Sequence, residues 1–71
     1  MEGVKYFLIS NSQNPAEFLH PYPLETSKQY IWKEGLVGAA GFYHKEAMII
    51  SKDCTPVGNV IPMGDNVIKE N

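Results

Sequence analysis

Val4-Lys5-Tyr6-Phe7-Leu8-Ile9-Ser10 is the stretch on which the fold turns. Aromatic and branched residues dominate it and Asn11-Ser12 close it, the composition and punctuation of a β-strand. The unbroken apolar run Tyr6–Ile9 leaves no face for water, so this strand is expected in the middle of a sheet, buried on both sides. Everything after it has to supply the strands on either flank and a cover for the faces.

Immediately downstream, Asn14-Pro15-Ala16-Glu17 carries helix-start signals: a favoured N-cap, a proline suited to the first helical position, and an acid three residues after the cap. Pro21 disfavours helix at His20, so one short helix is expected near residues 15–20. His20-Pro21-Tyr22-Pro23 then reads as extended. Thr26–Lys33 supports two readings. Thr26-Ser27-Lys28-Gln29 resembles a capping box with Gly35 as a helix stop. Gln29-Tyr30-Ile31-Trp32-Lys33 has strand propensity, and strand is the favoured reading, with Glu34-Gly35 as its turn.

Gly35-Leu36-Val37-Gly38-Ala39-Ala40-Gly41-Phe42-Tyr43 places three glycines at a spacing of three. Glycine inside a regular element costs roughly 0.5–1 kcal/mol relative to alanine, so the run implies a sharp bend or a close approach by another backbone or a ligand. It is expected to be a bent strand, paired across His44-Lys45-Glu46 with a strand over Ala47–Ser51. Thr55–Pro62 holds a Gly58-Asn59 turn signal, and its two prolines confine any strand there to an edge or to very short pieces. Met63–Asn66 reads as a further turn, and Val67-Ile68 as a last short pairing. These elements give a β-rich α+β fold: a small, strongly bent antiparallel sheet or partly open barrel of four or five short strands, with one short helix near residues 15–20.

With 71 residues the chain is read as one small domain. A domain of this size buries only about 60% of the surface its unfolded chain exposes and usually needs a staple. The single cysteine, Cys54, forbids an intrachain disulfide, which leaves association with a second copy as the cheapest remedy. At 44% hydrophobic and 20% charged residues the composition is globular. Net charge is −2, and all six cations are lysines. Without a basic excess, and without arginine's planar fork, nucleic-acid binding is disfavoured. No apolar run approaches the roughly 18 residues of a membrane span. Met1–Lys5 lacks a signal-peptide pattern, and the lone cysteine points to a reducing, cytoplasmic setting.

Candidate chemistry is thin. Gly-x-x-Gly-x-x-Gly is not the dinucleotide-binding fingerprint, and it runs into Phe42-Tyr43 instead of a helix pattern. Packing, or contact between chains in an oligomer, is the role expected of Gly35, Gly38 and Gly41. Cys54 lacks a sequence-adjacent base, and His20, His44 and Cys54 lack the paired spacing of a zinc site; the eight carboxylates are scattered. No catalytic residue, metal or cofactor is therefore assigned. The aromatics are the richer signal, because tyrosine and tryptophan join large contact area to a polar tip, and Tyr22, Tyr30, Trp32 and Tyr43 are the candidate partner-binding residues. The leading expectation is a small, non-enzymatic binding or regulatory protein that contacts another protein or itself. The alternatives are a binder of a small anion or nucleotide at a subunit interface, and a small barrel that stacks single-stranded nucleic acid.

Overall fold

Strand β1 (Tyr6–Asn11) lies inside a four-stranded antiparallel sheet in the computed structural model, which describes residues 6–64. The strand order is β3-β2-β1-β4, with β2 at Asn14–Pro21, β3 at Tyr30–Glu34 and β4 at Gly58–Gly64. One helix, α1 (His44–Asp53), completes the described elements. The sheet is open, with β3 and β4 as its edges. The β-rich α+β class and the central first strand hold, and the strand reading of Gln29–Lys33 holds with a one-residue offset: Glu34, expected in the turn, is the last residue of β3. Val4 and Lys5, the Asp65-Asn66 part of the expected turn and the Val67-Ile68 pairing lie outside the described residues.

The expected helix over residues 15–20 is instead strand β2. Ser12-Gln13 is a tight turn, so β2 folds straight back on β1. Asn11 secures that turn: its Oδ1 accepts from the Gln13 amide at 2.8 Å, and its Nδ2 donates to Glu17 at 3.0 Å. Glu17 thus serves a hairpin, not a helix cap. β2 pairs in unbroken register with β3 from Glu17↔Glu34 to Pro21↔Tyr30. Alternation then sends Leu19 to one face and His20 to the other, and both are buried. Burial on two faces outweighs the local capping signal.

The hairpin expected from Leu36–Tyr43 and Ala47–Ser51 is also absent. Residues 35–41 form a loop, and residues 47–51 belong to α1. The amide of Tyr43 donates to the Glu46 carboxylate at 3.0 Å, the backward arm of a capping box, and Lys52 sits in the last turn. Ala47 and Ser51, one turn apart, are the buried helix positions. Ile49 and Ile50, which suggested a strand, fall on different sides: Ile50 packs on the core and Ile49 is exposed.

Where β1 and β2 separate, the reason lies in the sequence. Ser10 pairs with Phe18, so continued pairing would set Phe7 opposite Pro21. Proline has no amide to donate. The chain fills the opening with residues 40–42: Ala40 donates to the Leu19 carbonyl at 2.9 Å, and Phe42 exchanges two 2.9 Å hydrogen bonds with Phe7. Residues 35–39 run over the His20 face while α1 packs on the opposite face. Residues 40–42 therefore carry the chain through the plane of the sheet.

The principal core lies on the α1 face. Ile9, Leu19, Phe42 and Ala47 are buried together, with Phe7, Tyr30, Trp32, Ile50 and Val60 packed against them. β4 runs along β1 from Asn11↔Gly58 to Tyr6↔Gly64, so Gly58-Asn59 is in a strand and not the expected turn. Met63 and Gly64 are likewise in β4. The edge position expected from the prolines holds: Ser12 donates to Val57 across this ladder, and alternation from there turns the Pro62 nitrogen to the outer side. Gly58 is the tightest point. A β-carbon there would collide with Ile9 Cγ2 and sit 3.3 Å from the Ser10 carbonyl oxygen and 3.4 Å from Trp32 Cη2. Gly58→Ala is expected to destabilise the fold by about 1–3 kcal/mol, read as a lowered urea midpoint; an unchanged midpoint would mean the Ile9–Trp32 packing is looser than described.

Candidate functional site

On the face of the sheet opposite α1 several apolar side chains reach solvent. His20 is its buried centre. Its Nε2 lies 2.9 Å from the Gly35 carbonyl oxygen, and because a carbonyl only accepts, Nε2 is the protonated nitrogen. This bond ties the start of the glycine loop to β2. Gly35 and Gly38 have φ of 99° and 85°, backbone that residues with a β-carbon rarely adopt. Ala39 donates to the Leu36 carbonyl at 3.0 Å and closes the loop into a turn. Its tip presents Leu36 and Val37 outward, Val37 with 94% of its surface exposed.

Between this tip and the β2–β3 connection lies a groove of about 310 Å³, lined by His20, Tyr22, Leu24, Ile31 and Val37, with Glu25 and Lys33 also on its wall. Tyr22, Leu24 and Ile31 are each at least 39% exposed. An apolar cluster around a polar-tipped tyrosine is a surface suited to another apolar surface.

The expected site residues are thus dispersed. Tyr22 lines the groove. Tyr43, 38% exposed, sits at the N-terminus of α1. Tyr30 and Trp32 are drawn into the core on the α1 face: Tyr30 meets Phe42 edge-on at 5.4 Å, and Trp32 Nε1 donates to the Thr55 carbonyl at 3.4 Å. Neither ring forms an open stacking platform. Among the glycines, Gly35 has open space beside it, and Gly38 faces the His20 ring with its β-carbon position 3.6 Å from Nδ1. Gly41 packs on Tyr6, with its β-carbon position 3.2 Å from the ring. Leu24, Ile31 and Val37 are groove residues that sequence reasoning missed. The one available signal was an exposed-type turn position, Val37-Gly38, occupied by valine.

A second opening, of about 660 Å³, lies between the β2–β3 connection and the crossing segment. Thr26, Ser27, Lys28, Tyr30 and Gly38–Gly41 are on its walls. Burial, and secondarily the charge of Glu46, hold the Tyr30 phenol above its ordinary range. Cys54 closes α1, its Sγ donating to the Ile50 carbonyl at 3.2 Å. Burial, then the charge of Asp53, push its thiol up, which suppresses the thiolate a nucleophile needs. His44 is exposed, edge-on to Phe7 at 5.0 Å. Among the described residues no three of histidine, cysteine, aspartate and glutamate gather as a metal site, and no helix is long and apolar enough to cross a membrane. No protein-family model, no curated protein and no solved structure matches this chain.

Two expectations follow. Gly38→Ala places a β-carbon where φ is positive and is expected to cost about 1 kcal/mol or more, read in thermal melts against Val37→Ala, which should be near neutral. The raised Cys54 and Tyr30 values mean the folded chain holds those protons more tightly than the unfolded chain. Their contribution is complete below the ordinary values and declines as pH climbs through the ordinary cysteine and then tyrosine range. Urea midpoints should therefore fall on the alkaline side, and a Tyr30→Phe, Cys54→Ala variant should fall less; equal slopes would refute the assignment.

Proposed function

We propose that this protein is a non-enzymatic docking module that uses the groove around His20 as its contact surface for protein. The observation that carries the reading is the clustering of Tyr22, Leu24, Ile31 and Val37 in one groove on the face that α1 leaves uncovered. Solvating such side chains is unfavourable by roughly 25 cal/mol per Å² of apolar surface, and covering them recovers that term. The groove wall is held in place by the His20–Gly35 hydrogen bond and the two positive-φ glycines, so little ordering is left to be done on binding. A photo-crosslinking residue at position 37, with position 53 on α1 as the exposed control, tests this in cells. Covalent adducts to protein are expected at 37 and not at 53; equal labelling, or none at 37, would overturn the reading.

A second reading, the small-anion binder, has support in the larger opening, where Lys28, two hydroxyl residues and Tyr30 meet. Its backbone component is weakened, because the Ala39 and Ala40 amides already donate within the fold. A thermal-shift series with phosphate and nucleotides is expected to raise the melting temperature in wild type and not in Lys28→Ala; no shift in wild type removes this reading.

A further inference from the structure

The two edges of the sheet are not alike. β4 carries Pro62, and a register shift between Tyr6 and Phe7 interrupts its pairing; both are devices that blunt an edge. β3 carries neither and pairs with β2 without a break. Hydrogen bonds at the ends of that ladder, Tyr22 to Gln29 and Gly35 to Ala16, fix its alternation. Ile31 and Lys33 turn their backbone groups to β2, and Tyr30, Trp32 and Glu34 turn theirs outward. No backbone partner for those outward groups is present among the described residues. The two bulky side chains of the strand, Tyr30 and Trp32, fold inward over the core and do not shield the edge.

We infer that β3 pairs antiparallel with β3 of a second copy, about a two-fold axis at Trp32, joining two sheets into one. This rests on the docking reading and names its partner. The register is self-complementary. Centred on Trp32, it sets Tyr30 opposite Glu34 of the second copy and Trp32 opposite its own mate. Every outward N–H and C=O of the three residues then finds its counterpart. A shift of the centre to Ile31 or Lys33 leaves some of them unpaired. On the groove face Ile31 lies opposite Lys33 of the second copy, so no like charges oppose one another, and the aliphatic stem of Lys33 covers exposed Ile31. Ile31 is also a groove wall, so the two apolar grooves meet along the joint. Such a dimer supplies the staple that a 71-residue chain without disulfides lacks.

Light scattering coupled to size exclusion, across micromolar concentrations, is expected to give twice the 8.0 kDa chain mass. Ile31→Lys sets lysine against Lys33 and is expected to halve that mass with unchanged circular dichroism. Adding Lys33→Glu should restore the doubled mass, because the new pair attracts only in this register. Glu34→Pro removes an outward amide without touching the β2 ladder and should also give single chains. A wild type that stays at one chain mass, or a double variant that is not rescued, overturns the inference. If wild type is single while position 37 still crosslinks to a different protein, the dimer fails and the docking reading stands.

Discussion

The missing amide of Pro21 is the constraint from which the rest of the structure follows. β1 and β2 begin as a tight hairpin at Ser12-Gln13, but their pairing ends at Ser10↔Phe18, and continuing it would set the Phe7 carbonyl against Pro21, which has no amide to donate. The strands part instead, and the carbonyl and the amide of Phe7 face a gap in the interior of the sheet. Leaving them buried and unpaired would cost on the order of 1–3 kcal/mol each. Phe42 answers both with two hydrogen bonds and brings a buried ring with it. The same residue thus satisfies the backbone of β1 and closes the core against Tyr30 and Ala47.

That solution dictates the path of the chain on either side. β3 ends at Glu34 on the edge, separated from the gap by β2. The connection must cross β2, turn into the sheet plane and leave on the far side to begin α1. Seven residues, Gly35–Gly41, make this crossing. The positive φ angles at Gly35 and Gly38 supply the turn, and the bare face of Gly41 lets the Tyr6 ring lie against the backbone. The three glycines are thus accounted for by one crossing, two by positive φ and one by close packing. The crossing also builds the groove: with the loop held down by His20, its tip stands proud of the sheet and faces Tyr22 and Ile31.

This explains which parts of the fold were legible in the chain. β1 was, because an unbroken apolar run is compatible with burial on two faces wherever its neighbours come from. The edge nature of β4 was, because proline forbids an inner ladder regardless of partner. The identity of β2 was not. Asn14, Pro15 and Glu17 satisfy a helix start locally, and only the pairing with Tyr30–Glu34, far along the chain, makes the strand better. The helix suffered the reverse error: Met48-Ile49-Ile50 has strand propensity, while the positions that decide its burial, Ala47 and Ser51, are small and unremarkable in sequence. The glycine run was wrongly read as a strand, since its backbone partners on β1 and β2, Phe7, Ala16 and Leu19, lie far back along the chain. Of the candidate site, Tyr22 was visible as an aromatic beside prolines. Ile31 and Val37 were not, because exposure of an aliphatic residue is set by which face a strand or loop turns outward.

Stability and the candidate contact surface therefore meet in one segment. His20 fixes the Gly35 end of the loop and Phe42 fixes the other, so the exposed tip between them is restrained at both ends while contributing little to the core itself. Substitutions at the anchors therefore act on folding. Substitutions at Leu36 or Val37 remove little packing, because those side chains are largely exposed. In a fold with few fully buried side chains, the tip can thus vary without removing a hydrogen bond or a ring from the junction that holds β1, β2 and α1 together.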